Sequence, residues 1–418
     1  MQIRRAQQGL SPSHIEVKGA IVRVLMLSWE YPPHVVGGLG RHVAELAPAL
    51  AELGINVHLV TPRWTDSEDV EQGDGLTVHR VDPPNAPMPD FYTGARQSNL
   101  RLEEMGSRIC SESSIDLIHN HDWLTVFSAV ALKQHFKIPL LSTVHATEQG
   151  RARGHLVTDQ QRAIHNAEWS LTFESWRVIC CSQFMAGEVA NYFKTPADKI
   201  DVIPNGVKAD RFSPWEGADL SRFRNMYALP GEQIVLYVGR IVQEKGLHVL
   251  IEAVPLVLAE NPQAKFVIAG TGDAVNALRA RARDLGVGHK VLFTGFIPDD
   301  DRDRLYKVAS CAVFPSLYEP FGIVALEAMA AKAPVVVSLV GGLQEVVKHS
   351  ETGITVYPDN PQSLAWGINH TLARPDWAAK RAENAYRVVV QEYNWQRIAE
   401  LTIQIYQRIL AERARINW

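Results

Sequence analysis

Two carboxylates, Glu319 and Glu327, flank a Pro-Phe-Gly turn in "SLYEPFGIVALEAMA" (residues 316–330). Pro320 and Gly322 hold Glu319 on a loop, whereas Glu327 falls about one turn inside a helix beginning near Ile323, so the acids need not share a helical face. They can serve different parts of one ligand. A carboxylate accepts hydrogen bonds from two neighbouring hydroxyls, so one acid suits a ribose diol and the other a hexose, with phosphates between them at the helix N-terminus. Upstream, "YVGRIVQEKGLHVLIEAV" (237–254) ends a strand on Arg240 and puts Lys245 in the loop before the next helix. A forked guanidinium and an ammonium at the carboxyl end of a sheet suit a diphosphate, whose charge must be held and stabilised further as it departs.

A glycine loop adds a second anion site. In "SWEYPPHVVGGLGRHVAELAPAL" Gly37, Gly38 and Gly40 follow the first strand and open a helix, presenting bare backbone N–H groups at a helix N-terminus. A dinucleotide fingerprint fits poorly, because Val43 stands where glycine or alanine is required and the second strand ends "LVTPRW" without the acidic residue. The turn in "IAGTGDAV" (268–275) reads as structural. Asp299 to Asp301 in "PDDDRDRL" read as the N-terminal cap of a helix rather than as metal ligands. Cys110, Cys180, Cys181 and Cys311 show no metal-ligand spacing and read as reduced thiols, so neither metal nor cofactor is expected.

The elements that must position these groups follow from the rest of the chain. Its 418 residues are 46% hydrophobic and 21% charged, which predicts two globular domains, each with its own core. A formal net charge of −4 gives no basic field for nucleic acid, and no stretch approaches the roughly 18 apolar residues of a membrane span. Residues 1–20 contain no apolar signal region and read as a mobile tail of a cytoplasmic protein. Apolar β-branched runs alternate with helical periods from residue 21 to 206, then restart from 233 to 338, the pattern of parallel sheets covered by helices. The stretch between them is rich in turn formers and places the interdomain connection near Asn205 to Pro214. Two doubly wound α/β domains then face each other, with the active site in the cleft beyond their strand ends.

Taken together, "GGLGRHV", "GR…EKG", the Glu-x7-Glu segment and "PVVVSLVGGLQEVV" resemble the retaining glycosyltransferases of family 4 and the bacterial glycogen synthases, from about Val22 to about Tyr393. The resemblance implies a GT-B fold. It implies an acceptor-binding domain over 21–208, a nucleotide-sugar-binding domain over 209–394, and a last helix within 395–418 that returns to the first domain. By position, Arg240 and Lys245 would hold the diphosphate, with Gly37 and Gly38 approaching from the other side. Glu327 would hold the ribose. Glu319 would hold the donor sugar, helped by the amides of Phe321, Gly322 and Ile323. Base recognition would fall around Phe296 and Ile297. "HNHDWLT" and "STVHATEQGR" are similar to glucan-synthase segments that would place Asp122 and His145 at the transferring sugar, although Val35 replaces the lysine that glycogen synthases carry before the paired glycines. The expectation is therefore metal-independent transfer of a hexose, glucose first and UDP favoured over ADP, to a glycan. An exopolysaccharide or envelope acceptor is the alternative, with membrane contact only if that acceptor is lipid-linked. Outside this class stand a glycan phosphorylase, for which no pyridoxal-phosphate lysine motif is present, and a non-catalytic sugar-binding protein.

Overall fold

The computed structural model describes residues 21–84, 88–416 and 418, so the expected tail at 1–20 lies outside the described residues. The first sheet contains β1 (Arg23–Leu27), β2 (Asn56–Pro62), β3 (Val70–Gln72), β4 (Leu76–Val81), β5 (Leu117–His121), β6 (Leu140–Val144), β7 (Arg177–Cys180) and β8 (Ile200–Val202). Its spatial order is β3-β4-β2-β1-β5-β6-β7-β8. The second sheet contains β9 (Gln233–Val238), β10 (Ala264–Ala269), β11 (Val291–Gly295), β12 (Cys311–Phe314), β13 (Val335–Ser338) and β14 (Ile354–Val356), in the order β11-β10-β9-β12-β13-β14. The β3–β4 pair is antiparallel; the other ladders among the described residues are parallel.

Strands such as "RVLML" and "VVVS" are apolar because helices cover both faces of each sheet. β3 and β14 lie beyond the runs read in the sequence. Each is three residues at a sheet edge, and β3 is exposed throughout, so burial leaves no alternation to read. The strand order reverses at β1/β5 in one sheet and at β9/β12 in the other. Ligands bind at such switch points. The loops that begin there carry the glycine turn, Asp122, Arg240 with Lys245, and Glu319 respectively.

The expectation of two separate cores is corrected. The second domain's core continues into the first through Cys181, Met185 and Val189, because the helix Gln183–Phe193 packs against both domains. Its first amides, those of Gln183 and Phe184, both donate at 2.9 Å to the Glu345 carboxylate of the second domain. Ser182 Oγ donates to the Pro320 carbonyl at 2.6 Å, and the Tyr318 hydroxyl donates to Glu188 at 2.8 Å. The domains are therefore pinned together along one flank of the cleft.

The helix Trp395–Arg413 returns to the first domain, where Ile398, Ile405, Tyr406 and Ile409 join Val43, Leu46 and Leu50 in one core. The Tyr406 hydroxyl lies 2.7 Å from His119 Nδ1. All four cysteines are free thiols, three of them buried. Among the described residues no helix is long and apolar enough to cross a membrane.

Candidate active site

A cleft of about 1150 Å³ opens between the carboxyl ends of the two sheets. It is lined by Gly37, Gly38, Asp122 and His145 from the first domain, and by Arg240, Lys245, Phe296, Ile297, Glu319, Phe321, Gly322, Ile323 and Glu327 from the second, whereas Gly40 lies outside it.

On the second-domain wall, Lys245 ends a single 3₁₀ turn before the helix Leu247–Glu260. The chain crosses itself tightly here. Gly246 has φ +66°, and a Cβ on it would strike the Pro315 carbonyl. The Glu244 carbonyl accepts from the amides of Leu317 (2.8 Å) and Tyr318 (3.3 Å), tying the lysine loop to the loop of Glu319. Lys245 Nζ then donates to Glu319 Oε2 at 2.7 Å, and Ser316 Oγ donates to the same oxygen at 3.1 Å. Sequence reasoning assigned these two groups to different parts of a ligand; in the structure they pair with each other. Arg240 is the freer cation: it is half-exposed on the rim and reaches Glu244 at 3.3 Å. Gly322, at φ +104°, turns the chain into the helix Ile323–Ala330, and the amides of Phe321, Gly322 and Ile323 find no acceptor among the described residues.

Glu327 lies one turn into that helix, as its spacing predicted, and is buried among cations. Arg211 approaches it at 3.4 Å and Arg41 at 3.7 Å, while the Tyr306 hydroxyl donates at 3.3 Å. Burial alone would raise its pKa. The Arg302, Arg211 and Arg41 guanidiniums prevail and hold the carboxyl below its ordinary range. The acids of "PDDDRDRL" need a correction: Asp299 to Asp301 form the first turn of the helix Asp299–Val308, and Pro298 takes the capping position without a side-chain acceptor. There they meet the positive helix end, and Asp299 bonds Arg302 at 2.5 Å.

The glycine loop brings a second correction. Glu30 Oε2 already accepts from the amides of Val36 (2.8 Å) and Gly37 (3.0 Å), so an anion arriving here meets Gly38 rather than Gly37. The carboxylate folds into the loop because Gly40 has no Cβ; one would lie 2.6 Å from Glu30 Oε2. Gly38 faces Ile323 across the cleft, with 3.5 Å between its would-be Cβ and the Ile323 side chain. Arg41, three residues on, crosses to Glu327 and to Asp299 at 3.6 Å. Arg41 was missed although it stands inside the quoted "GGLGRHV", because a lone arginine on a helix reads as surface until its partners in the other domain are seen.

The first-domain floor is built at the ends of β5 and β6. Asp122 has φ +57°, a conformation that costs a non-glycine residue free energy and persists only when its surroundings fix it. Here the Asn120 amide donates to the Asp122 carbonyl at 2.7 Å, and the Asp122 carboxylate accepts from the His145 amide at 2.7 Å. Burial pushes the Asp122 carboxyl up to about 6, against the pull of that amide and of Arg151.

Burial, with Arg151 nearby, depresses His145 to about 3, so its ring is neutral. His42, His119 and His121 are likewise held well below the ordinary range, first by burial and then by neighbouring imidazoles. Sequence reasoning expected no metal. Among the described residues, His42, His121 and His145 form a group with ligand atoms within 4.8 Å of one another. Two of these nitrogens already face each other, His121 Nδ1 and His145 Nε2 at 3.2 Å, and His42 Nδ1 is 2.6 Å from Asn205 Oδ1. His42 Nε2 and His121 Nε2, by contrast, are buried without a hydrogen-bond partner among the described residues.

Two doubly wound domains facing each other across a cleft, with Arg240 and Lys245 on one wall and Asp122 and His145 on the other, make the GT-B architecture of glycosyltransferases. The comparisons agree: residues 36–211 match Glycosyltransferase Family 4 and residues 222–388 match Glycosyl transferases group 1, and the chain belongs to this family. An uncharacterized glycosyltransferase of Methanocaldococcus jannaschii is 42% identical over 393 residues, covering 92% of this chain and 98% of its own. The glycogen synthase of Mycobacterium tuberculosis is 36% identical over 401 residues, covering 92% and 94%. Among solved structures, sucrose-phosphate synthase from Thermosynechococcus elongatus superposes with a TM-score of 0.78 at 26% identity, covering 94% of this chain and all of that one.

Proposed function

We propose that this chain is a retaining hexosyltransferase that moves glucose from a nucleoside-diphosphate donor, UDP-glucose in the first instance, to a glycan, without a metal or cofactor. The observation that carries the reading is the opposition of two walls. Arg240, Lys245, Glu319 and Glu327 stand on one, and Asp122 and His145 on the other, within a single cleft. On donor binding Lys245 exchanges Glu319 for the diphosphate, which frees Glu319 for the hydroxyls of the sugar. Arg240 swings from the rim to the same phosphates. Glu327 takes the ribose diol, and the unbonded amides at Gly322 and Ile323 supply neutral donors beside the phosphate.

As the bond from the anomeric carbon to phosphate oxygen breaks, positive charge develops on the sugar. The buried Asp122 and the neutral His145 fit that position, one as a counter-charge when ionised and the other as a hydrogen-bond partner without repulsion. The acceptor hydroxyl attacks on the face the diphosphate is leaving, and its proton passes to a diphosphate oxygen. The two cations do the work that a divalent ion would otherwise do. Kinship with a glycogen synthase supports glucose as the sugar.

The test is nucleoside diphosphate release from UDP-, ADP- and GDP-sugars in EDTA, with and without maltooligosaccharide. Release from one glucose donor that depends on the glucan is expected. Release that ignores the glucan moves the acceptor to another polysaccharide, and silence across the panel favours a sugar-binding protein.

A further inference from the structure

Three arginines surround Glu327, and they are not equally committed. Arg211 forks onto Asp303, through Nε at 3.0 Å and through a second guanidinium nitrogen. Arg302 is buried and donates to Asp299 at 2.5 Å and to Asp303 at 3.2 Å. Arg41 makes no side-chain hydrogen bond among the described residues. Its nearest carboxylate oxygens, on Asp299 and Glu327, stand 3.6 and 3.7 Å away, beyond hydrogen-bond reach, and its side chain is 36% exposed. Glu327 therefore keeps two cations and the Tyr306 hydroxyl without it.

The position of Arg41 is electrostatically unfavourable by itself. It lies at the start of the helix Gly38–Glu52, whose first turn contains no acid and whose capping residue, Gly37, offers no side-chain acceptor. A cation there adds to the positive end of the helix dipole, which costs stability unless an anion answers both. Both face the phosphate-binding wall: Arg41 and Gly38 line the cleft, and Gly38 stands opposite Ile323. Glu327 follows Ile323 by four residues on the helix Ile323–Ala330, so the carboxylate that Arg41 approaches and the unbonded amides at Gly322 and Ile323 are about 6 Å apart along the axis. A change of arginine rotamer covers that span. The two cations already assigned to the diphosphate each face an acid, Lys245 with Glu319 and Arg240 with Glu244. A diphosphate brings further negative charge, and Arg41 is the uncommitted cation beside it.

We propose that Arg41 is a further catalytic residue of the transfer: a guanidinium supplied by the first domain, which leaves Glu327 when the ribose diol takes that acid and donates bidentately to the donor's diphosphate. This rests on the transferase reading above and adds a residue to it. As the bond from the anomeric carbon to phosphate oxygen breaks, the electron pair stays on that oxygen, and Arg41 stabilises it without transferring a proton. Because the guanidinium belongs to one domain and the diphosphate to the other, full stabilisation of the leaving group is reached only when the cleft holds the donor between its two walls.

The test uses the full chain with UDP, ADP and GDP, and then the nucleoside of whichever base binds best. In Arg41→Gln the diphosphate should bind about ten- to a hundredfold more weakly. The nucleoside should bind as tightly as to the wild type or more so, since Arg41 no longer competes for Glu327, and this also shows that the site is folded. Turnover should fall by a larger factor than KM changes, and Arg41→Lys should recover part of both losses. Equal weakening of nucleoside and diphosphate would make Arg41 a pin between the domains, and unchanged diphosphate affinity and turnover would make it a surface partner of Asp299; either overturns the proposal. Should Arg41→Gln not fold, Arg41→Lys carries the same comparison, with a smaller loss expected for the diphosphate alone. A wild type that binds none of the three diphosphates sinks the donor reading and the role of Arg41 with it, whereas a wild type that binds one and variants that match it sink the role of Arg41 only.

Discussion

Lowering the pH from about 7.5 to about 5 should unfold this protein far more readily than its modest charge implies, and the imidazoles beneath the cleft set the size of the effect. His145 titrates near 6.5 in the unfolded chain and at about 3 in the fold. Between those values the unfolded chain binds more protons, so the stabilisation is complete above about pH 6.5 and is lost as the pH falls towards 3. At pH 5 the unfolded ring is protonated by 1.5 units of driving force, which amounts to about 2 kcal/mol. His42, His119 and His121 are depressed in the same direction, first by burial and then by one another, so they add to the loss. Asp122, raised to about 6, opposes this, since the fold binds its proton more tightly; it returns about 1 kcal/mol over the same interval. Glu188 and Glu168 act in the same sense as Asp122. With four imidazoles acting in one direction, a net loss of stability is expected as the pH falls. Urea unfolding at the two pH values measures it, and His145→Asn should reduce the difference by about 2 kcal/mol. If that variant keeps the wild-type pH dependence, the His145 ring is charged or hydrated in the folded protein, and the account of a neutral floor is wrong.

Lys245→Ala should lower turnover by on the order of 10² to 10³, because a preorganised donor to the leaving group is lost; steady-state rates with the best donor of the panel would show it, and a normal rate would refute the assignment. Glu327→Gln leaves Arg41, Arg211 and Arg302 facing an uncharged amide in a buried site, so thermal unfolding should register a loss of about 3–5 kcal/mol. Trp395→Ala removes an indole packed over Gly206 and against His42. Calorimetry should find it destabilised by about 3–5 kcal/mol, with nucleotide affinity, which the proposed function assigns to the other domain, unchanged.

The alternation of strands and helices was legible because parallel sheets bury both faces and so write long apolar runs. Site residues at strand ends were legible for the same reason: locating β9 and β6 locates Arg240 and His145. The edge strands β3 and β14 were hidden because three-residue segments carry no period. Partnerships across the cleft were hidden by sequence distance. Lys245 lies 74 residues from Glu319, and nothing local to either tells that they meet. Arg41 and Glu327 belong to different domains, and His42, His121 and His145 to three different elements. Glu30 shows how a local reading can fail: the glycine loop was recognised as an amide-rich turn, yet a carboxylate of the same loop already occupies two of its amides, those of Val36 and Gly37.

The return of the helix Trp395–Arg413 has a consequence for synthesis. The domain that begins with β1 needs Ile398, Ile405 and Tyr406 to finish its core, and these residues leave the ribosome after the whole second domain. From Val202, the end of β8, to Trp395 the delay is roughly 10–40 s at ordinary translation rates. Throughout that interval the seam along Val43, Leu46 and Leu50 is open and His119 lacks its tyrosine partner. The wall carrying Arg240, Lys245 and Glu319 is therefore complete while the wall carrying Asp122 and His145 is still waiting for its last helix.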